Sequence, residues 1–277
     1  MTGNYRTKDL IKQAGNLVII GGGHRPDYLM LEFIKLAGGF GSQITILPAA
    51  SYFPEQRGKE VKKELEDLGC THVNYICRRN NEIDDEENLK KLEDTKGIFF
   101  TGGDQNKLAE FLLNTMVLER IREIYKHGGV IAGTSAGAAI MSKIMIAGYD
   151  PDWDDSIETP FQAGFRPNRA RLSEGFGFLH NIIIDQHFNT RKRTERLKDA
   201  IKKNPGMLGI GIDESTAIIV HSDNTFHVVG ENKVTLFSLS DFGLVQKTDT
   251  AANLLNSGEI QTLSPGDRYL FQNYTSN

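Results

Sequence analysis

Short apolar runs alternate with longer amphipathic stretches through the first half of the chain, and few folds accommodate that alternation. Between the runs, apolar residues recur at helical spacing, as at Val61, Leu65 and Leu68. The runs themselves are short, rich in β-branched or aromatic residues and bounded by Gly, Pro or Ser, as buried strands are; they are Leu17–Ile20, Ile44–Leu47, Val73–Ile76, Ile98–Phe100 and Val130–Ala132. The alternation predicts an α/β protein with a parallel sheet and helices on both faces.

The pattern changes in the second half of the chain. Residues 147–175 are rich in Asp, Arg and Pro, which predicts a long loop with little regular structure. Further strands are predicted at Ile182–Ile184 and Ala217–Val220, and the runs Phe226–Val229 and Val234–Phe237 predict hairpins that finish the sheet edge. Because we find no linker or repeat, we predict a single domain over residues 1–277, with an N-terminal extension at 1–14.

Composition argues against several classes of function. The formal net charge is −4, so the excess of basic residues by which nucleic-acid binders neutralise phosphates is missing. No stretch approaches the length of a membrane span, and residues 1–13 hold no apolar signal-peptide core, from which we expect a cytoplasmic location. The two cysteines, Cys70 and Cys77, fit no metal motif and are expected to be buried free thiols.

The strongest chemical signal is the pentapeptide from Gly133 to Gly137, which matches G-x-S-x-G with Ser135 at its centre. It follows a predicted strand and precedes a helix-like run, which is the context of a nucleophile elbow. Small neighbours let the backbone close tightly there, and the N–H of Ala136 can then point at a developing oxyanion. We therefore predict that Ser135 is a nucleophile.

A serine hydroxyl needs a base, and His187 is the histidine with the best surroundings. It ends an apolar run within Asp185-Gln186-His187-Phe188, at the carboxyl end of a predicted strand, where sites collect in parallel sheets. A third, acidic group should orient the imidazole. Asp213 and Glu214 are adjacent in a glycine-flanked turn, and the residues alone leave the choice between them open.

Two more glycine turns follow strands. The turn Thr101–Gln105 has a bare backbone that can supply a second oxyanion donor, for which we select Gly103, and Gln105 should begin the next helix facing the same crevice. The turn Gly21–Gly23 lacks the full G-x-G-x-x-G spacing, so no dinucleotide site is predicted there.

A basic run from Thr190 to Arg196 follows the candidate base. Thr190 is a good N-cap, and Leu197 with Ile201 would give such a helix an apolar face. Arg193 and Arg196 are three residues apart and so share a face, which we predict to point into the crevice and bind a carboxylate. The alternative is that the run is simply a solvated basic face.

Four of these motifs, in this order, resemble the cyanophycinases and the serine peptidase family to which they and the aspartyl dipeptidases belong. The resemblance extends from Leu17 to about Phe237 and rests on the segments 99–105, 133–138, 185–188 with the following arginines, and 209–214. It implies a flavodoxin-like, class I glutamine-amidotransferase-like α/β sandwich with a mostly parallel sheet. It also implies a homodimer.

The resemblance assigns roles to particular residues. The family's catalytic triad maps onto Ser135, His187 and Glu214, which selects Glu214 over Asp213. Its substrate pocket maps onto six positions, Gln105, Asp185, Gln186, Arg191, Arg193 and Arg196. The substrate it implies is cyanophycin, a polyaspartate backbone with arginine joined to each side-chain carboxyl, and the product is the β-Asp-Arg dipeptide. This acyl-enzyme chemistry requires no metal and no cofactor.

Two alternatives remain at this point. A related aspartyl dipeptidase or another exopeptidase of the family would share the nucleophile elbow. A binding protein that keeps the fold without turnover would be a non-enzymatic alternative, although the presence of Ser135, His187 and Glu214 together argues against lost activity.

Overall fold

Strands and helices alternate through the first half of the chain, as the apolar pattern predicted. The structure is a computed structural model and describes residues 15–77, 83–149, 169–240, 244–246 and 255–271. Within these ranges the elements are, in chain order, β1 (Asn16–Ile20), α1 (Asp27–Leu36), β2 (Gln43–Leu47), α2 (Pro54–Asp67), β3 (His72–Tyr75), α3 (Glu86–Lys90), β4 (Thr95–Phe100), α4 (Gln105–Leu112), α5 (Met116–Lys126), β5 (Val130–Thr134), α6 (Ala136–Ala139), β6 (Ile144–Tyr149), β7 (Ala170–Glu174), β8 (Ile182–Gln186), α7 (Thr194–Lys203), β9 (Leu208–Ile212), β10 (Thr216–Val220), β11 (Thr225–Gly230), β12 (Val234–Ser238), β13 (Leu244–Gln246), β14 (Ile260–Leu263) and β15 (Arg268–Phe271).

The central sheet has nine described strands in the order β13-β15-β11-β10-β1-β5-β4-β2-β3. The five strands predicted from the first half of the sequence, β1 to β5, pair in parallel and form one side of it. The later strands β10, β11, β15 and β13 extend it with antiparallel pairs. The predicted α/β class and parallel core are confirmed. The parallel strands bring several strand-to-helix turns to one edge.

The central strands of this sheet are buried on both faces, which explains why β1 and its neighbour β5 are largely apolar. Alternate residues of β1 separate the two layers, with Val18 and Ile20 in one and Leu17 and Ile19 in the other. The first layer is covered by α1 and α2, and the second by α4, α5 and α6. Helices therefore lie on both faces, as expected, and none of the described helices is long and apolar enough to cross a membrane.

A second sheet was not predicted. It has the order β14-β12-β9-β8, and its apolar side packs on the same layer as α4 and α5. The run Val234–Phe237 belongs to this sheet, where β12 pairs with β9 and β14, so the prediction that it finishes the edge of the first sheet is wrong. The run Phe226–Val229 does extend the first sheet, as β11. Helix α7 packs on the other side of the second sheet.

The predicted loop at 147–175 is regular at both ends. Strands β6 and β7 pair as an antiparallel ribbon, Tyr149 opposite Ala170, so the prediction of little regular structure is wrong for these ends. Residues 150–168 lie outside the described residues, as does the predicted extension at 1–14. Cys70 and Cys77 are buried thiols, as expected.

Candidate active site

Several strands of both sheets end at one place. Ser135 follows β5, His187 follows β8 and Glu214 comes two residues after β9. The glycine turns at 21–23 and 102–103 follow β1 and β4 at the same edge. Carboxyl ends of parallel strands are where sites collect in α/β folds, and here two sheets contribute such ends.

Ser135 has the strand–turn–helix context that its sequence predicted. Its φ is 54° and ψ is −111°, a conformation that non-glycine residues rarely adopt, at the N-cap position of α6. The flanking glycines permit this turn, because a Cβ on Gly133 would lie 2.2 Å from the carbonyl oxygen of Gly137, and a Cβ on Gly137 2.3 Å from that of Phe100. The backbone N–H of Ser135 donates to Ile20 O at 3.0 Å, which fixes the turn to β1.

The imidazole of His187 joins Ser135 to Glu214. Ser135 Oγ lies 2.9 Å from His187 Nε2, and His187 Nδ1 forms a short hydrogen bond with Glu214 Oε1. His187 is itself held in a positive-φ conformation, with its N–H donating to Gly21 O at 2.7 Å. These contacts are the ones that the predicted nucleophile, base and orienting acid require, and the roles themselves stay predictions.

The two adjacent acids have different partners. Glu214 faces the imidazole, whereas Asp213 Oδ1 accepts from the N–H of Asn189 at 2.9 Å and Oδ2 from that of Lys233 at 3.3 Å. Asp213 thus ties the turn after His187 to the start of β12. The geometry puts Glu214, which the resemblance selected, beside the imidazole.

The glycine turn at 21–23 is the site feature that sequence reasoning missed. A Cβ on Gly22 would lie 2.4 Å from His187 Nε2, and one on Gly23 would lie 2.8 Å from Glu214 Cβ. The bare backbone therefore leaves room for the imidazole and the carboxylate. The available signal was its place after a strand that neighbours β5, since adjacent parallel strands end at the same edge.

Burial and nearby charges shift the pKa of His187, the candidate base. The pKa of His187 is lowered from the ordinary histidine value, mainly by burial. The hydrogen bond with Glu214 opposes this shift, whereas the positive charges of Arg191 and Arg193 add to it. A neutral imidazole, the form that accepts a proton, is therefore favoured down to lower pH than for an exposed histidine.

The basic run is arranged differently from its prediction. Helix α7 begins at Thr194, not after Thr190, because Lys192 has a φ of 51° and interrupts the turn. Arg193 is the N-cap residue, and the predicted cap at Thr190 is wrong. The residues after His187 instead close a turn in which the N–H of Arg191 donates to His187 O at 3.0 Å.

Arg193 and Arg196 are not a solvent-facing pair. Both are buried, 6% and 3% exposed, around the carboxylate of Asp185, which is 1% exposed. Arg196 Nε donates to Asp185 Oδ2 at 3.0 Å and its second nitrogen to Oδ1, while an Arg193 nitrogen lies 3.5 Å from Oδ1. Both arginines line the cleft, as predicted, and the buried carboxylate on β8 also holds them in place; binding of a substrate carboxylate stays a prediction. Arg191, by contrast, is exposed.

The Ser135 hydroxyl opens into a cleft of about 640 Å³. Five arginines line it, and they are Arg25, Arg57, Arg191, Arg193 and Arg196. Gln105 and Gln186 also line it; Gln105 Nε2 donates to Ile146 O at 2.7 Å, and Gln186 Oε1 lies 3.3 Å from Ser135 Oγ. Of the six predicted substrate positions, five reach the cleft wall, and Asp185 lies behind them.

The predicted oxyanion donors flank the serine. Ala136 is the first residue of α6, directly after Ser135. Gly103 lines the cleft with a φ of 142°, and a Cβ there would lie 2.1 Å from Ala50 O. Its neighbour Gly102 is packed against the nucleophile, since a Cβ on it would be 3.9 Å from Ser135 Oγ. Their role as donors stays a prediction.

Comparison with known proteins defines the class of this site. Residues 17–228 match the sequence profile of "Peptidase family S51". The chain belongs to this family and is a serine-type peptidase. Among its relatives, a cyanophycinase from Geminocystis herdmanii is 34% identical over 266 residues, covering 92% of this chain and 93% of that protein. A cyanophycinase from a Nostoc species is 33% identical over 274 residues, covering 95% and 87%.

More distant relatives share the fold. A peptidase E from Nostoc is 21% identical over 223 residues, covering 77% of this chain and 83% of that protein. The crystal structure of a peptidase from an acI-B1 Actinobacterium superposes with a TM-score of 0.64 at 24% identity, covering 91% of this chain and 98% of the other. This chain therefore shares its α/β fold with a solved peptidase.

Proposed function

We propose that this serine-type peptidase hydrolyses cyanophycin and releases β-Asp-Arg dipeptides through an acyl-enzyme. The observation that carries the proposal is the Ser135–His187–Glu214 hydrogen-bonded chain opening into an arginine-lined cleft. The polymer presents carboxylates beside every guanidinium group, and arginines bind carboxylates through paired, charge-assisted hydrogen bonds. The relatives named cyanophycinase, which match over nearly the whole length, support the same substrate.

The contacts among Ser135, His187 and Glu214 support the following catalytic cycle. Ser135 Oγ gives its proton to His187 Nε2, 2.9 Å away, as the oxygen attacks the amide carbonyl carbon. Glu214 on Nδ1 stabilises the imidazolium that results. The N–H groups of Ala136 and Gly103 are the proposed donors to the oxyanion. His187 then protonates the leaving amine, and water hydrolyses the ester on Ser135 with His187 again acting as base.

Arg191 is the arginine best placed to meet a substrate carboxylate. It is exposed at the cleft, and it is close enough to lower the pKa of His187. Arg193 and Arg196 both contact the carboxylate of Asp185, which neutralises part of their positive charge and fixes their side chains. They form one wall of the cleft, which we call the arginine wall, and are not free anion-binding groups. We infer that they orient substrate through this wall, together with Gln105 and Gln186.

We further infer that the chain forms one domain and acts as a homodimer in the cytoplasm. The homodimer is inferred from the family resemblance. The cytoplasmic location is consistent with two buried thiols, because a reducing compartment keeps thiols reduced. Light scattering coupled to size-exclusion chromatography tests the dimer, which a molar mass equal to that of one chain would exclude.

The deciding experiment is incubation of the purified protein with cyanophycin and mass analysis of the products. Release of β-Asp-Arg is expected, and Ser135→Ala should abolish it, since loss of such a nucleophile costs on the order of 10⁴- to 10⁶-fold in rate. Retained folding of the variant, judged by circular dichroism, is the control.

Other outcomes identify the alternatives. Cleavage of short aspartyl peptides with the polymer left intact would indicate an aspartyl dipeptidase, the activity class nearer to the Peptidase E relative. Binding of the polymer without turnover, and without labelling of Ser135 by a serine-directed covalent reagent, would indicate a binding protein.

A further inference from the structure

Two aromatic side chains stand exposed between β2 and α2. Tyr52 is 70% exposed and Phe53 72%, the highest values among the large apolar side chains of the described residues. Only one of the two lies at the cleft that contains Ser135: Tyr52 lines it, whereas Phe53 is not among its described lining residues. Tyr52 is therefore not part of the core, and its ring forms part of the cleft lining.

The ring of Tyr52 already holds a cation. Lys107 Nζ lies 3.3 Å from the ring centroid, over its face. An aromatic face attracts cations through its quadrupole, and a guanidinium group also stacks on it. The Lys107 ammonium thus marks a cation-binding position at the mouth of the cleft.

A carboxylate lines the same cleft as Tyr52. Asp104 is the one acidic residue among the described residues lining the cleft, and its N–H donates to Ala50 O at 2.9 Å, which ties its turn to the segment that carries Tyr52. Asp104 Oδ1 accepts from the backbone and side chain of Asn106 at 2.8 and 2.9 Å. Oδ2 receives no hydrogen bond from any described residue, so it is available to a ligand.

The rest of the cleft disfavours a cation. Its wall carries five arginines, and the buried Asp185 is already shared by Arg193 and Arg196. A guanidinium group of the substrate would be repelled by these arginines and attracted to the ring of Tyr52 and the carboxylate of Asp104, which line the same cleft. The arginines therefore disfavour a cation over most of the cleft, whereas Tyr52 and Asp104 can bind one.

We propose that Tyr52 and Asp104 form a subsite for a guanidinium group of the substrate, which takes the place of the Lys107 ammonium. The proposal rests on the proposed function, since cyanophycin carries an arginine on every unit. One arginine side chain stacks on Tyr52 and donates to Asp104 Oδ2, while the carboxylate of a unit meets the arginine wall. The subsite would thereby favour substrates that carry charge at a defined position.

The test uses a trimer of β-Asp-Arg units in which each arginine in turn is replaced by citrulline, which keeps the shape and lacks the charge. In the unmutated protein, one position should raise KM by about 5- to 30-fold with kcat little changed. In Tyr52→Leu the all-arginine trimer should show a similar rise in KM, and the citrulline penalty at that position should disappear. Asp104→Asn, which keeps a good helix cap, should reduce the penalty.

Matched variants make the result specific. Phe53→Leu removes an equally exposed neighbouring ring and should leave KM within about twofold, and Tyr52→Phe keeps the aromatic face and most of the penalty. An unchanged citrulline penalty in a folded Tyr52→Leu protein would overturn the subsite. Failure of the proposed function gives a different result, because the unmutated protein would then release no β-Asp-Arg from the polymer.

Discussion

Replacing Gly22 by alanine tests whether the first glycine turn positions the base. The added Cβ would lie 2.4 Å from His187 Nε2, whereas ordinary contacts begin near 3.4 Å, so the imidazole must move by about 1 Å. The hydrogen bond from Ser135 Oγ to Nε2 is 2.9 Å long and tolerates only a few tenths of an ångström. A misplacement of this size in a reacting pair costs about 100-fold in rate, which is the loss in kcat that we expect.

Gly22→Ala also strains the backbone, and a second glycine provides a control for this effect. Gly22 has a φ of 106°, where an alanine costs about 1–3 kcal/mol of folding free energy. Gly39 has a similar φ of 93°, with nothing within 4 Å of a Cβ placed on it. Gly39→Ala should therefore show the loss of stability without the loss of kcat.

The assay is release of β-Asp-Arg from saturating polymer, with thermal unfolding measured for both variants. If Gly22→Ala is folded and keeps a kcat within about threefold of the unmutated protein, the argument that the bare turn makes room for the base is refuted. Equal losses of kcat in both variants would show that strain alone, and not the collision with His187, is responsible.

Glu214→Gln should lower kcat by on the order of 10³- to 10⁴-fold with little change in unfolding temperature, because an amide can hold the wrong imidazole tautomer. Asp213→Asn should instead lower the free energy of unfolding by about 1–3 kcal/mol, since an amide cannot accept from both of the N–H groups that the carboxylate binds; a larger kcat loss than in Glu214→Gln would contradict the assignment. The acid limb of the kcat/KM profile should lie below the ordinary pKa of histidine, because burial lowers the pKa of His187 and activity needs the neutral base; Arg191→Ala should move this limb to higher pH, and an unshifted limb would exclude the electrostatic coupling. Arg196→Ala should destabilise the fold by about 3–5 kcal/mol in chemical denaturation, since its buried carboxylate partner on β8 loses its bidentate contact, whereas unchanged stability would show that the pair is not maintained.

The strand–turn–helix context of Ser135 could be predicted from the sequence because it depends on near neighbours in the chain. Gly133 and Gly137 sit two residues on either side of Ser135, and the strand before them is marked by its own apolar run. The same holds for the five strands of the parallel core, because burial against helices on both faces of the sheet favours the apolar runs that mark these strands.

The surroundings of the base required contacts between distant segments. Residues alone left Asp213 and Glu214 open, since neighbouring residues on a turn point in different directions that only the packing of β9 against β12 decides. The family resemblance selected Glu214, and the structure places it at His187. No sequence motif marks the role of Gly22, because residues 21–23 do not have the spacing of a nucleotide-binding loop. The turn reaches His187 only because β1 pairs in parallel with β5, so that both strands end at the same edge.

Residue patterns alone predict the α/β class, the turn at Ser135 and the set of polar residues that surrounds it, because periodicity and turn chemistry act over a few residues. The directions in which those polar groups face depend on packing between distant segments. Arg196 turns away from solvent because Asp185, eleven residues earlier on a different element, is buried and must be neutralised. Likewise, Tyr52 and Asp104 meet at one cleft because β2 and β4 are neighbours in the sheet, a pairing that no local pattern encodes.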